Sequence, residues 1–179
     1  IPYLKKHRFK KSKTLQSAAI IYTIHNLVFQ FGQNWWEVPV KYRDKGKNSL
    51  PMFDNKKIEY INFAKRAILH ADAINTVSET YAQEIMSRDF GQDLHRILNN
   101  RKHKLFGVVN GIDYKEFNPN NDKKIYRNYD HKKVLRKNLN KKFIQKLFKL
   151  PARDDVPVIC MTSRVTYQKG FELILRIIK

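Results

Sequence analysis

Two kinds of apolar pattern alternate along this chain. Short, mainly apolar runs occupy Ser17 to Ile24, Ala71 to Val77, Leu105 to Val109 and Val156 to Met161. Bounded by polar or turn-forming residues, they read as strands, the first and last as buried ones. Between them, apolar residues recur at helical spacing. Positions 58, 61, 64, 68 and 69 predict a helix over Ile58 to Leu69, and Leu135, Leu139, Phe143 and Leu147 predict another over Val134 to Phe148. Leu150-Pro151 stops the latter. Thr80 to Gln83 has capping-box spacing for a helix to about Met86. A short helix is expected around Leu94 to Leu98, and a last one after Gly170. Strands alternating with helices predict an α/β fold.

The remaining segments read as connections. Residues 1 to 16 are basic and mostly polar, a loop or helix end. Residues 31 to 57 hold Gly32, Pro39, Gly46 and Pro51, an irregular region anchored by Trp35 and Trp36. Asn110-Gly111 breaks the third strand, with Gly111 expected at positive φ. Phe117 to Asp122 is the best linker candidate, which places a domain boundary near residue 118.

A length of 179 residues allows one domain or parts of two, and 42% hydrophobic content excludes general disorder. The chain starts at Ile1 without Met and stops soon into its last helix. Both ends look cut, so an internal piece of a longer protein is expected. No stretch has the length of a membrane span or the apolar core of a signal peptide. Cys160 is the single cysteine. It has no internal disulfide partner, fits a reducing compartment such as the cytoplasm, and is expected to be a small core residue of its strand.

Net charge is +20, with a sequence pI near 10.0. Such a chain associates loosely with polyanions, in a salt-sensitive way. The aromatics do not interleave with the basic runs as a single-strand stacking platform requires, so no specific nucleic-acid partner is expected. A basic polyanion-binding module is nevertheless the rival to an enzyme.

Candidate chemistry lies at the strand ends. The run at 156 to 161 ends in Thr162-Ser163-Arg164, a polar turn leads to Lys169-Gly170, and helical spacing resumes. Two cations after a strand and before a helix suit a diphosphate, although a surface Arg and Lys flanking a helix give the same pattern. His25-Asn26 closes the 17–24 strand and suits a sugar hydroxyl, or a structural role. Asn110, past the third strand, both donates and accepts. His7, His70, His95, His103 and His131 are scattered and read as solvated or structural.

Ser163-Arg164-Val165-Thr166-Tyr167-Gln168-Lys169-Gly170-Phe171-Glu172-Leu173 resembles the S-R-L-T-x-Q-K-G-x-D-L signature of bacterial glycogen synthases and plant starch synthases. Three further blocks follow the family order. Thr23-Ile24-His25-Asn26-Leu27-Val28-Phe29-Gln30 is similar to T-x-H-N-L-A-[YF]-Q-G, with Phe31 inserted before Gly32. Asn62 to Ile85 is similar to N-x-x-K-A-G-I-x-x-A-D-x-x-x-T-V-S-P-x-Y-A-x-E-I, with Arg66 and Ala67 near its Ala-Gly and Glu79 for its Pro. Asn110-Gly111-Ile112-Asp113 with Phe117-Asn118-Pro119 is similar to N-G-I-D-x-x-x-W-x-P.

This resemblance implies a retaining glucosyltransferase of GT-B architecture, built from two Rossmann-like domains. Residues 1–118 would be the second half of the N-terminal, acceptor-side domain, and 119–179 the start of the nucleotide-binding domain. It implies a nucleotide-glucose donor, ADP-glucose ahead of UDP-glucose, and an α-1,4-glucan acceptor, without metal or other cofactor. Arg164 and Lys169 are implied as the catalytic cations on the donor diphosphate, and His25, Asn26 and Asn110 as sugar contacts. The family's Lys-Thr-Gly-Gly-Leu and Glu-x-x-Gly-Leu elements are not in this stretch, so the chain alone is expected to be inactive. Another GT-B glycosyltransferase is the alternative within this architecture.

Overall fold

The computed structural model describes residues 1–52 and 54–178. The chain divides into two compact units, Ile1–Gly111 and Ile112–Lys179.

The first unit is built on three parallel strands, β1 (Ile21–Ile24), β2 (Ala73–Thr76) and β3 (Leu105–Gly107), in the order β1-β2-β3. Thr23 pairs with Asn75 and Ile24 with Thr76, while Thr76 pairs with Gly107. Parallel neighbours need crossovers. Helix α3 (Phe63–His70) joins β1 to β2, and α4 (Glu79–Glu84) with α5 (His95–Asn100) joins β2 to β3. One sheet face, with Ile24, Ile74 and Thr76, packs on Ala64, Ile68, Ile85, Leu94 and Leu98, all at most 2% exposed. The opposite face carries Ile21, Thr23 and Phe106, which are exposed. β1 is therefore covered on one face, not both as its apolar run suggested.

Side-chain caps set several helix starts. Asn62 caps α3, its Oδ1 accepting from Lys65 N–H at 2.7 Å. Ile58–Tyr60 belongs to a separate 3₁₀ turn, so α3 starts later than its apolar spacing implied. Ser78 caps α4 by accepting from Tyr81 N–H. The capping-box reading at Thr80 is thus corrected: Thr80 lies inside the helix, because Ser78 stands at the strand exit. The first sixteen residues carry two short helices, α1 (Pro2–His7) and most of α2 (Lys13–Ser17), with Ser12 capping the second. The described residues between 31 and 57 are irregular as expected, apart from 3₁₀ turns at Val40–Tyr42 and from Lys56, with Trp35 half-buried and Trp36 exposed.

The second unit contains α6 (Lys137–Leu147) and α7 (Phe171–Ile177). The apolar stripe of α6 is exposed at Leu139, Phe143 and Leu147, and the Phe143 ring stacks on Tyr126 at 4.8 Å. Residues 156 to 161 form no strand, which corrects the sequence reading. An isolated extended segment has no ladder to join, and among the described residues this unit offers it no partner strand. Cys160 is accordingly exposed rather than part of a core.

No helix among the described residues is long and apolar enough to cross a membrane.

Candidate functional site

All three strands run in one direction, so their carboxyl ends share one edge of the sheet. His25 leaves β1 at this edge, Ser78 closely follows β2, and Asn110 lies just beyond β3. In open α/β sheets this edge is where ligands bind. β1 and β3 flank β2, so their ends stand roughly 10 Å apart by the usual strand spacing. The first unit thus brings His25, Asn26 and Asn110 to one edge.

His25 is exposed, which leaves its imidazole accessible. Asn26 is half-buried and builds the turn that follows: its Oδ1 accepts from Val28 N–H at 3.0 Å, and its carbonyl accepts from Phe29 N–H at 3.3 Å. This Asx turn commits the side-chain oxygen and leaves the Nδ2 donors for a ligand. Leu27, 1% exposed, plugs the turn into the core, and its N–H donates to the Tyr81 hydroxyl at 3.0 Å. Thr23 Oγ1 donates to Asn75 Oδ1 at 2.7 Å, tying β1 to β2 just before the exit.

The inserted Phe31 is absorbed locally. Phe31 and Gly32 have φ of 54° and 141°, and the Phe31 and Gln30 carbonyls accept from Phe63 and Ala64 at the start of α3. A Cβ on Gly32 would lie 2.5 Å from the Ile61 carbonyl oxygen, so the bend requires glycine.

Asn110 is exposed. Val108 N–H extends the ladder one step past β3 by donating to Thr76 O at 2.8 Å. Gly111 does not have positive φ, and a Cβ there would meet nothing within 4 Å. The expectation of a left-handed turn at Gly111 is corrected. The chain leaves the sheet in the open there, with no close neighbour to force a reversal.

In the second unit, Arg164 follows the apolar run at 156 to 161 and is exposed. Lys169 is exposed at the end of a 3₁₀ turn, Tyr167–Lys169, whose start is fixed by Lys169 N–H donating to Thr166 O at 3.0 Å. Gly170 then takes φ of 73°, the left-handed conformation that reverses the chain into α7. Among the described residues neither cation is engaged in an ion pair. The two cations flank one turn ahead of one helix, but Arg164 does not close a hydrogen-bonded strand.

Residues the sequence reading passed over brace the first-unit edge. Tyr81 and Asn75 lie inside a stretch read as scaffold. Their signal was positional: Asn75 sits one residue before the end of β2, and Tyr81 one turn into α4.

A profile of the starch synthase catalytic domain matches residues 1–100. The chain belongs to this family. Glycogen synthase from Ligilactobacillus salivarius is 44% identical over 181 residues, covering 98% of this chain and 37% of that protein. Glycogen synthase from Thermosipho africanus is 38% identical, covering all of this chain and 36% of that protein. The catalytic domain of starch synthase IV from Arabidopsis thaliana, solved with ADP and acarbose, superposes with a TM-score of 0.75 at 30% identity. That comparison covers 98% of this chain and 36% of the plant one. The chain therefore matches part of an α/β, GT-B starch synthase fold, and it spans a little over a third of its relatives' length.

Proposed function

We propose that this chain forms part of a glycogen or starch synthase that transfers glucose from a nucleotide-glucose to the non-reducing end of an α-1,4-glucan, with retention. The observation that supports the reading is that the chain follows β1 with His25 and Asn26 and β3, three residues on, with Asn110, at the carboxyl ends of parallel strands of one sheet, in a chain of the starch synthase family. The ADP in the Arabidopsis neighbour supports ADP-glucose as donor.

In this reading His25 and Asn26 contact the glucosyl group and Asn110 a sugar hydroxyl. Cleaving the bond from anomeric carbon to phosphate leaves negative charge on the nucleoside diphosphate. Arg164 and Lys169 stabilise that charge, the Arg through a planar fork and the Lys as a compact point charge. Their exposure leaves both groups open to a ligand. Residues 1–118 belong to the acceptor-side domain and 119–179 to the nucleotide-binding domain. The protein works in the cytoplasm, or in a plastid in a plant-type system.

The test is incorporation of labelled glucose into glycogen by the full-length protein, with ADP-glucose and UDP-glucose compared. Transfer from ADP-glucose is expected, and no transfer from either donor would overturn the reading. The 179-residue chain alone is expected to be silent in the same assay.

A further inference from the structure

We propose that Tyr81 is a positioning residue: its hydroxyl sets the turn that presents His25 and Asn26. This inference rests on the sugar-contact reading of those two residues. The geometry begins at α4. Ser78 Oγ accepts from Tyr81 N–H at 3.2 Å, which fixes the first helical turn and aims the Tyr81 ring toward the core. The phenol oxygen then receives Leu27 N–H at 3.0 Å. Leu27 is 1% exposed, so its amide has little access to water as a substitute partner. Leu27 is also the middle of the Asn26-Leu27-Val28 turn, whose other polar contacts are made by Asn26 itself. Removing the phenol oxygen leaves this donor without its partner, and the turn must move to find water.

The same helix start touches the other end of the site. A Cβ on Gly107 would lie 2.5 Å from Glu79 N and closer still to Glu79 Cα, so β3 runs directly against the first turn of α4. One helical turn therefore holds both outer strand exits, β1 through Tyr81 and β3 through Gly107. The Tyr81 hydroxyl is engaged by the Leu27 amide, so Tyr81 acts through the turn that carries His25 and Asn26 rather than on substrate.

The experiment is a double-mutant cycle in the full-length protein, assayed by glucose transfer. Tyr81→Phe should lower kcat about tenfold while the KM for the glucan stays within about twofold, as a small misplacement of a positioned group does. Added to His25→Ala, the same change should cost less than about twofold more, because the group it positions is already gone. If His25→Ala is impaired and Tyr81→Phe is silent or fully additive, the positioning role is overturned and the proposed function stands. If His25→Ala itself keeps wild-type activity, the sugar-contact reading fails and takes this inference with it. Amide exchange provides a readout without any variant: the Leu27 amide should be protected in the wild-type protein, and rapid exchange there would overturn the role. In Tyr81→Phe that protection should fall.

Discussion

The carboxylate of Asp44 receives two bonds from the Arg66 guanidinium, at 2.7 Å from Nε and 2.9 Å from Nη2, with both side chains only 3% exposed. Arg66 also donates to Asn48 O at 2.7 Å and lies over the Tyr3 ring at 4.6 Å. Asp44 in turn accepts from the Gly46 and Asn62 amides. One pair thus ties α1, α3 and the irregular loop together. Taking either partner away strands a buried charge. Asp44→Ala should destabilise the protein by about 3–5 kcal/mol. Denaturant unfolding checks this, and a loss below about 1 kcal/mol would contradict it. Replacing both residues by apolar ones should recover much of the loss.

Gly107 gives a second prediction. Its Cα faces the Ser78–Glu79 backbone so closely that any Cβ displaces main chain rather than a flexible side chain. Gly107→Ala should cost at least about 1–3 kcal/mol, as overpacking does, and should lower glucose transfer as well by moving the β3 exit. A variant with wild-type stability would show that the α4 start yields freely.

A third prediction concerns pH. His70 Nε2–H donates to the Gly46 carbonyl at 3.2 Å, and its ring meets Tyr3 and His7 edge-on, each at 5.2 Å. Burial holds His70 below its ordinary value of 6.5. The Gly46 carbonyl pulls the other way, while His7, Lys6 and Arg66 add to the lowering. The unfolded chain therefore binds the proton more readily, and stability falls as pH drops from about 6.5 toward the folded value. Thermal midpoints should decline between about pH 7 and pH 5.5, and His70→Gln should flatten that decline. Asp72 acts in a separate window. The Ile20 amide holds its carboxyl below 3.8, with Lys5 adding to the effect, so its contribution is lost only in stronger acid. A decline confined to pH below about 4 would exclude His70 as its source.

The sequence was most informative where a residue's surroundings are local in sequence. The three first-unit strands and α6 follow from apolar spacing, as does the body of α3, although α3 starts at Phe63 rather than Ile58. Reading failed where the outcome depends on distant neighbours. The run at 156 to 161 is as apolar as any strand, but a ladder needs a second chain segment, and none is among the described residues of that unit. Arg66 replaces a small residue of the family pattern, and nothing nearby in sequence announces Asp44 as its partner. Tyr81 sat among scaffold residues because a phenol in a helix reveals its acceptor role only once the β1 exit lies against it. Gly111 shows the converse error: Asn-Gly suggests a tight left-handed turn, but the chain there is open enough for any residue.

The proposed role of Arg164 and Lys169 is to stabilise the charge of a departing nucleoside diphosphate. It is tested most directly by kcat for glucose transfer from ADP-glucose in the full-length protein carrying Arg164→Ala or Lys169→Ala. Each should lower kcat about 10²–10³-fold, the size expected for one preorganised electrostatic contact, with the thermal midpoint little changed because both side chains are exposed. Near wild-type kcat in both variants would contradict the account.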